Sequence, residues 1–264
     1  MSTQALLQQS TIAKDDGYKY KISQQFNKAS HTYETAAHVQ KICAEQLTQK
    51  LLTTLPDFYP ASILDLGTGS GYIPEILLSH FPQSRYTLND IAPSMLEKAK
   101  KKFRAFSQFQ FCAGDMENLN IDFHALTISN LALQWANDLS NTLKKYYANT
   151  QVLAFSSLAL GTFQEWTNIF DQYGQPSPVH PYPSEKELYD LLQQLNPVNY
   201  SYETQDFQIA FGSPQAFMHY LKQLGASTPN TEVPFNVLKK IVAHQEPLTV
   251  TYKVFFGILG KLSQ

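Results

Sequence analysis

Residues 63–71, Ile63-Leu64-Asp65-Leu66-Gly67-Thr68-Gly69-Ser70-Gly71, set the architecture of this 264-residue chain. A short apolar run, Ser62–Leu66, predicts a buried strand, and the segment Ile73–His80 has the apolar spacing of a helix. The glycines between them let the backbone turn tightly and bring it close to a ligand at the helix N-terminus. A dinucleotide fingerprint would need its third glycine one position later, where Tyr72 stands, so the bulky ring argues against a pyrophosphate. A Gly67-x-Gly69-x-Gly71 loop preceded by the acidic Asp65 suits instead a ligand with an amino-acid end, whose ammonium is drawn toward a carboxylate. The alternative is a tight strand-to-helix turn with no ligand.

The pattern continues on both sides of this loop. Strands are predicted at Tyr86–Leu88, Phe109–Cys112, Ala125–Ser129 and Val152–Ser156, and helices at Pro93–Phe106, with Pro93 at the first position, and Leu139–Tyr147. This alternation predicts an α/β chain with a mostly parallel, doubly wound sheet and helices on both faces. Upstream, residues 18–52 turn helical, with Val39, Ile42, Cys43, Leu47 and Leu51 on one apolar stripe, and Pro56 and Pro60 end that run. Downstream, residues 161–187 combine a short helical piece with a proline-rich loop. Helices near Glu185–Leu195, Pro214–Leu224 and Pro234–His244 and extended segments at Tyr200–Ala210 and Leu248–Leu259 follow. The last segment alternates Val250, Tyr252, Val254, Phe256 and Ile258 on one face and is expected to insert into, or edge, the same sheet.

Composition narrows the function. Hydrophobic residues make up 43% and charged residues 16%, so the chain can build a real core. A net charge of −2 argues against a nucleic-acid coat or a polybasic membrane anchor. The two cysteines, Cys43 and Cys112, form no metal-spaced pair, and no metal is expected. No segment approaches the roughly 20 apolar residues that cross a bilayer, and the first residues lack a secretory pattern, so a cytoplasmic protein without membrane association is expected. Arg85 and Arg104 are the sole arginines, which removes the usual clamp for carboxylates and phosphates.

Two further carboxylates follow strand ends. Asp90, in Asn89-Asp90-Ile91-Ala92-Pro93, is placed to accept hydrogen bonds from two ribose hydroxyls; its alternative is a role at the helix N-terminus, since Pro93 follows. Asn89 beside it reads as structural. Asp115 either accepts from an exocyclic adenine amine, with the Met116 amide facing the ring, or is an ordinary loop aspartate. Three carboxylates after three successive strands reinforce one another.

Taken in order, ILDLGTGSG, NDIAPSML, GDMENL and SNLALQW resemble the class I S-adenosylmethionine-dependent methyltransferases over roughly residues 60–160. That resemblance implies a Rossmann-like seven-stranded sheet with an antiparallel last strand. It implies S-adenosyl-L-methionine as cofactor and S-adenosyl-L-homocysteine as product, held by Asp65, Gly67, Thr68, Gly69 and Gly71, by Asp90 and Ile91 at the ribose, by Asp115 and Met116 at the adenine, and by Asn130 near the methionine end. The segments FNKASHTYETAAHVQ (26–40), SNLALQWANDLS (129–140), FSSLALGTFQEW (155–166) and LTVTYKVFFGILGK (248–261) are similar to the malonyl-acyl-carrier-protein O-methyltransferase (BioC) family of biotin synthesis. This implies methylation of the free carboxylate of a malonyl thioester, with acyl carrier protein as partner, by a monomer. Three features depart from the family: Val179-His180-Pro181-Tyr182-Pro183 replaces an arginine-containing stretch, Tyr146-Tyr147-Ala148-Asn149-Thr150-Gln151 replaces a Pro-Gly-Gly turn before the fifth strand, and Ala92 replaces the serine before the helix proline, at about 1 kcal/mol of capping.

A carboxylate is already ionised at neutral pH, so the reaction needs positioning and exclusion of water rather than a general base. Candidate positioning residues are Tyr33, Asn130, Gln134, Trp135 and His180, each with core packing or an ordinary loop place as its alternative. Residues 1–17 are expected to form a flexible tail and residues 18–264 one domain. Within that domain, a helical cover (18–55) and an insertion (about 161–197) are expected to fold over the strand ends, because both lie outside the strand–helix rhythm and are rich in aromatic residues. Lysine clusters at Lys98–Lys102, Lys144–Lys145 and Lys239–Lys240 are candidate carrier docking faces or solvated helix faces. The competing functions are methylation of another small acid or a quinone-type carbon, which would require an acid–base group, and a non-catalytic cofactor-binding partner subunit. RNA methylation fits poorly with the net charge.

Overall fold

The computed structural model describes residues 16–229, 231, 233–243 and 246–261. The expected tail lies outside these residues except for Asp16 and Gly17, which open the first helix, and His244 of the expected last helix also falls outside them. Three helices come first: α1 (Asp16–Ala29), α2 (Tyr33–Ala36) and α3 (His38–Thr54). The sheet half follows as β1 (Ser62–Leu66), α4 (Tyr72–His80), β2 (Arg85–Asp90), α5 (Pro93–Phe103), β3 (Phe109–Ala113), β4 (His124–Asn130), α6 (Leu139–Ala148) and β5 (Thr150–Leu158). The remainder is α7 (Gln164–Gln172), α8 (Glu185–Gln194), β6 (Asn199–Phe211), α9 (Pro214–Leu224), α10 (Phe235–Ala243) and β7 (Leu248–Gly260).

The seven strands form one sheet in the order β3-β2-β1-β4-β5-β7-β6. The pairs from β3 to β5 are all parallel, and β7 runs antiparallel to both β5 and β6. The order reverses between β1 and β4, which opens a crevice at their carboxyl ends, where ligands of such sheets bind. One face of the sheet is covered by α3, α4, α5, α7 and α9, the other by α6 and α8.

Three elements differ from the sequence reading. The helical stretch over 18–52 is three helices, because at its first break the Thr32 hydroxyl donates to the carbonyls of Ala29 and Gln223 and competes with helix continuation. Val39, Cys43, Leu47 and Leu51 are buried as expected, but Ile42 is 43% exposed, one step off the stripe that meets the sheet. Helix α5 ends at Phe103, and Phe106 lies on the surface, so the last turn expected there is absent. Strand β7 is buried on both faces, since it lies between β5 and β6 under helices on either side. Its alternation therefore separates two cores: Val254, Phe256 and Ile258 join one, Phe255 and Leu259 the other.

Helix α1 belongs to this body rather than to a separate cap. Ala92 offers no side-chain cap to α5, and Asn27 Oδ1 of α1 supplies one instead, accepting from the Ser94 N–H at 2.9 Å. One turn away, the Ser23 hydroxyl donates to the Ile91 carbonyl at 2.9 Å.

Candidate active site

The glycine loop adopts a conformation that L side chains rarely take: Gly67, Gly69 and Gly71 have φ of 68°, 56° and 85°. The three serve different purposes. A Cβ on Gly71 would lie 2.7 Å from the Phe103 ring, so this glycine seats the loop against α5. A Cβ on Gly69 would project toward Tyr33, whose ring is 3.8 Å from that position, so this glycine leaves a shallow cradle between loop and α2. The Thr68 N–H donates to the Asn89 carbonyl at 2.8 Å, which ties the loop to β2.

Asp90 ends β2 inside this cradle, and the backbone holds it from two sides. Its Oδ2 accepts from the Gly69 N–H at 2.8 Å and its Oδ1 from the Ala92 N–H at 2.7 Å. The helix-start role, read from the sequence as the alternative for Asp90, is therefore present, and the Gly69 N–H adds a second hold from the loop. Burial pushes Asp90 up to about 6, against the N–H groups of Ala92, Gly69 and Ile91 that favour its charge. Burial pushes Asp65 up to about 7, opposed by the nearby Thr68 hydroxyl and reinforced by repulsion from Asp90. Asp65 Oδ2 is buried with no hydrogen-bond partner among the described residues. An unsatisfied buried carboxylate beside a glycine cradle fits a ligand that brings an ammonium and hydroxyls. Asn89 is structural, donating to the carbonyls of Cys112 and Gly114.

Gly67, Gly69, Asp90, Ile91, Asp115, Met116, Asn130, Tyr33 and Trp135 line one cleft over the ends of β1–β4. Asp65 and Thr68 line a smaller recess joined to it at Gly67, Tyr33 and Asn130. Gly71 lies behind the loop against Phe103. The Asn130 amide is committed inside the protein: it donates to the Gln40 carbonyl at 2.9 Å and accepts from the Ser156 hydroxyl at 2.7 Å. Its contribution is to hold the 131–135 turn, in which Leu131 takes a left-handed φ of 49°. Gln134 lies within that turn, its amide donating to the Leu131 carbonyl. His180 stacks between Tyr18 and Trp135, with ring centroids 6.3 and 6.2 Å away, and Trp135 meets Phe26 edge-on at 5.9 Å. These rings bring α1, the 131–135 turn and the proline-rich loop together over the strand ends.

The cleft also contains residues that sequence reasoning missed. Lys19, Ile22 and Phe26 of α1 form one wall. Lys19 is 7% exposed and reaches Asp115 at 3.0 Å and Glu117 at 2.6 Å. Burial would raise Glu117, but the Asn137 N–H, Lys19 and the Asp138 N–H hold it below its ordinary value. The signal was present in the spacing of Lys19, Ile22 and Phe26 along one helical face. Asp115 itself accepts from Lys19 and from the Glu117 N–H.

Between this cleft and the proline-rich loop is a chamber of about 50 Å³ lined by Tyr33, Gln40, Gln134, Tyr182 and Tyr252 among apolar neighbours such as Phe26, Leu158 and Phe163. Among the described residues, no charged side chain lines it. Burial raises the Tyr33, Tyr182 and Tyr252 phenols well above their ordinary range, with Asp90 adding to the effect at Tyr33, so they stay protonated as donors.

Comparison with known proteins places this geometry. A methyltransferase-domain family matches residues 63–151. A malonyl-[acyl-carrier protein] O-methyltransferase of Neorickettsia risticii is 31% identical over 241 residues, covering 91% of this chain and 96% of that one. The chain belongs to the malonyl-[acyl-carrier protein] O-methyltransferase family. A member from Priestia megaterium is 33% identical over 232 residues, covering 81% of this chain and 84% of the relative. Among solved structures, the plantazolicin methyltransferase BpumL in complex with S-adenosylhomocysteine superposes with a TM-score of 0.57 at 16% identity, covering 92% of this chain and 95% of that chain. The YcgJ protein of Bacillus subtilis superposes with a TM-score of 0.57 at 14% identity, covering 83% and 100%. Membership of this family makes the chain an S-adenosylmethionine-dependent methyltransferase.

Proposed function

We propose that the chain methylates the free carboxylate of a malonyl group carried on acyl carrier protein, in the early, pimeloyl-forming stage of biotin synthesis. The observation that carries this reading is the uncharged chamber beside the glycine loop. A phenol or ring carbon must lose a proton to react and would call for a base there, whereas a carboxylate arrives ionised. Burial holds the tyrosines that line the chamber protonated, so none of them is a ready base. The relatives' names support the malonyl thioester as substrate.

The residues assigned to the cofactor are those of the cleft. Asp90 takes the ribose hydroxyls, Asp65 draws the ammonium toward the glycine loop, and Asp115 with Met116 bounds the adenine. When bound, S-adenosylmethionine supplies a methyl group activated on a sulfonium. Tyr33 is positioned between loop and chamber and donates to the incoming carboxylate, with Gln134 and Tyr182 as further donors. A cation held here would stabilise the very anion that must give up its charge in the reaction, so neutral donors serve the transition state better. Trp135, Phe26 and His180 close the strand ends and exclude water, which leaves the carboxylate partly desolvated.

A methyl-transfer assay with labelled cofactor tests the reading against malonyl-acyl carrier protein, malonyl-CoA and free small diacids. Methylation of the malonyl thioesters and not of the diacids is expected. Transfer confined to a phenol or quinone acceptor, with an essential group titrating near neutrality, overturns it. Growth of a biotin-requiring strain lacking its own such enzyme tests the pathway role.

A further inference from the structure

Beyond the chamber, the molecule contains a cavity much larger than a malonyl group requires. It has a volume of about 450 Å³, within the range of roughly 300–1,000 Å³ usual for small-molecule sites. Its walls come from α7 (Trp166, Phe170), the proline-rich loop (Val179, Tyr182) and α9 with the segment after it (Met218, Leu221). The cavity and the chamber share Trp135, Phe163, Tyr182, Leu221 and Ala226. The chamber in turn shares Phe26, Tyr33, Leu131 and Trp135 with the cofactor cleft. Cleft, chamber and cavity therefore adjoin one another in series, with Trp135 in the wall of all three.

The order of this series fixes what the cavity can hold. A carboxylate that meets the methyl group sits in the chamber, and the thioester to which it is joined leads away from the cofactor. Whatever carries the thioester must then run through the cavity. We propose that the cavity is the berth of a 4′-phosphopantetheine arm, entered from the α9 side, with its phosphodiester at Lys222. This rests on the malonyl thioester reading and adds to it the place and chemistry of the arm.

The lining matches that ligand along its length. The aromatic and aliphatic walls suit the methylene and dimethyl portions of the arm. Ser227 and Thr228 supply a polar side for its amides, and Thr228 Oγ1 is buried with no hydrogen-bond partner among the described residues. Among the described residues that line the cavity, Lys222 is the sole acidic or basic side chain, histidine aside; it is solvent-exposed, which puts it at the mouth. It forms no ion pair among the described residues. A single cation at the mouth of an apolar channel fits a chain that ends in one phosphate anion.

The test compares malonyl-acyl carrier protein and malonyl-CoA, which both carry the full arm, with the malonyl thioester of N-acetylcysteamine, which lacks most of it. Met218→Trp fills the cavity without touching the chamber, and Val179→Phe does so from the opposite wall if the first variant does not fold. Filling is expected to lower kcat/KM at least tenfold for both full-arm substrates and to leave the truncated one within twofold. Lys222→Glu is expected to lower kcat/KM severalfold for the full-arm substrates only. Equal losses on all three substrates, or no loss on any, overturn the proposal.

A second readout is independent of methyl transfer. The chain has two tryptophans, Trp135 and Trp166, and both line this cavity. 4′-Phosphopantetheine alone is expected to change their fluorescence saturably, and Val179→Phe to weaken that response at least tenfold. A response that Val179→Phe leaves intact, or none up to millimolar ligand, overturns the berth. A chain that binds the arm but methylates no malonyl thioester would instead overturn the proposed reaction and leave the berth standing.

Discussion

The cofactor cleft and the chamber beside it share Tyr33 and Trp135, yet they are built on opposite electrostatic plans. The cleft and the recess joined to it concentrate Asp65, Asp90 and Asp115 at three successive strand ends, with Lys19 and Glu117 close by. The chamber holds phenols, amides and rings, with no charged side chain among the described residues of its lining. A cleft for a cationic, hydroxyl-bearing cofactor gains from fixed carboxylates. A chamber in which an anion loses its charge gains from having none.

The comparison is broken most severely at the glycine loop. Gly69→Val adds a β-branched side chain at a φ of 56° and fills the cradle toward Tyr33. We expect calorimetry to show cofactor affinity reduced by at least about 100-fold, or about 2.7 kcal/mol. Unchanged affinity in the folded variant would remove the loop from the site. Asp90→Ala comes next, with an expected loss of roughly 1–3 kcal/mol, the scale of hydrogen bonds to a charged acceptor. Here circular dichroism serves as the check that the fold survives the loss of the Gly69 and Ala92 contacts.

Acid should act on the cleft and spare the chamber. Asp90 and Asp65 have folded-state values raised to about 6 and about 7, so the protein without cofactor binds protons more tightly than the unfolded chain does. Their ionisation therefore destabilises the cofactor-free protein as pH rises from about 4 through 7. Cofactor binding to the ionised forms offsets this cost. Affinity is expected to strengthen about 100-fold between pH 5.5 and 7.5 and then level off, with proton release on binding below about pH 8. Titrations in buffers of different ionisation enthalpy measure that release. A flat profile would mean that the carboxylates do not face the cofactor.

Smaller effects sharpen the boundary between the two regions. Tyr33→Phe removes one neutral donor and keeps the ring, so kcat should fall roughly 2- to 10-fold while cofactor affinity stays nearly constant. An equal loss in cofactor affinity would assign the hydroxyl to the cleft. Asn27→Ala removes the cap that α1 lends to α5, at about 1 kcal/mol. For a chain of this size that is about 2–4 °C in melting temperature, measurable by calorimetry. No shift would show that α1 does not brace the cleft in solution.

The position of α1 also changes what truncation should do. From the sequence, the N-terminal segment reads as a cover for the substrate, so its removal through Tyr33 would leave cofactor contacts intact. In the structure Lys19, Ile22 and Phe26 line the cofactor cleft itself. Its removal is therefore expected to weaken cofactor binding as well as turnover.

The sequence by itself determined the strand–helix alternation, the glycine loop and the carboxylates at the carboxyl ends of β1, β2 and β3. Each is a local feature: period, turn chemistry and strand-end position are carried by residues close together in the chain. The sequence also carried the family resemblance. Tertiary structure alone decided that β7 lies inside the sheet and is buried on both faces, although its alternation suggested one. It decided that Thr32 breaks the first helical stretch by bonding to Gln223, a residue 191 positions away. It decided that the Asn130 amide is committed internally, that Lys19 pairs with Asp115 and Glu117, and that Asn27 caps a helix it does not adjoin in the chain. The chamber and its adjoining cavity are built wholly this way, from α1, α3, the 131–135 turn, the proline-rich loop and α9. Apolar walls carry no short motif, because burial depends on which distant surfaces meet.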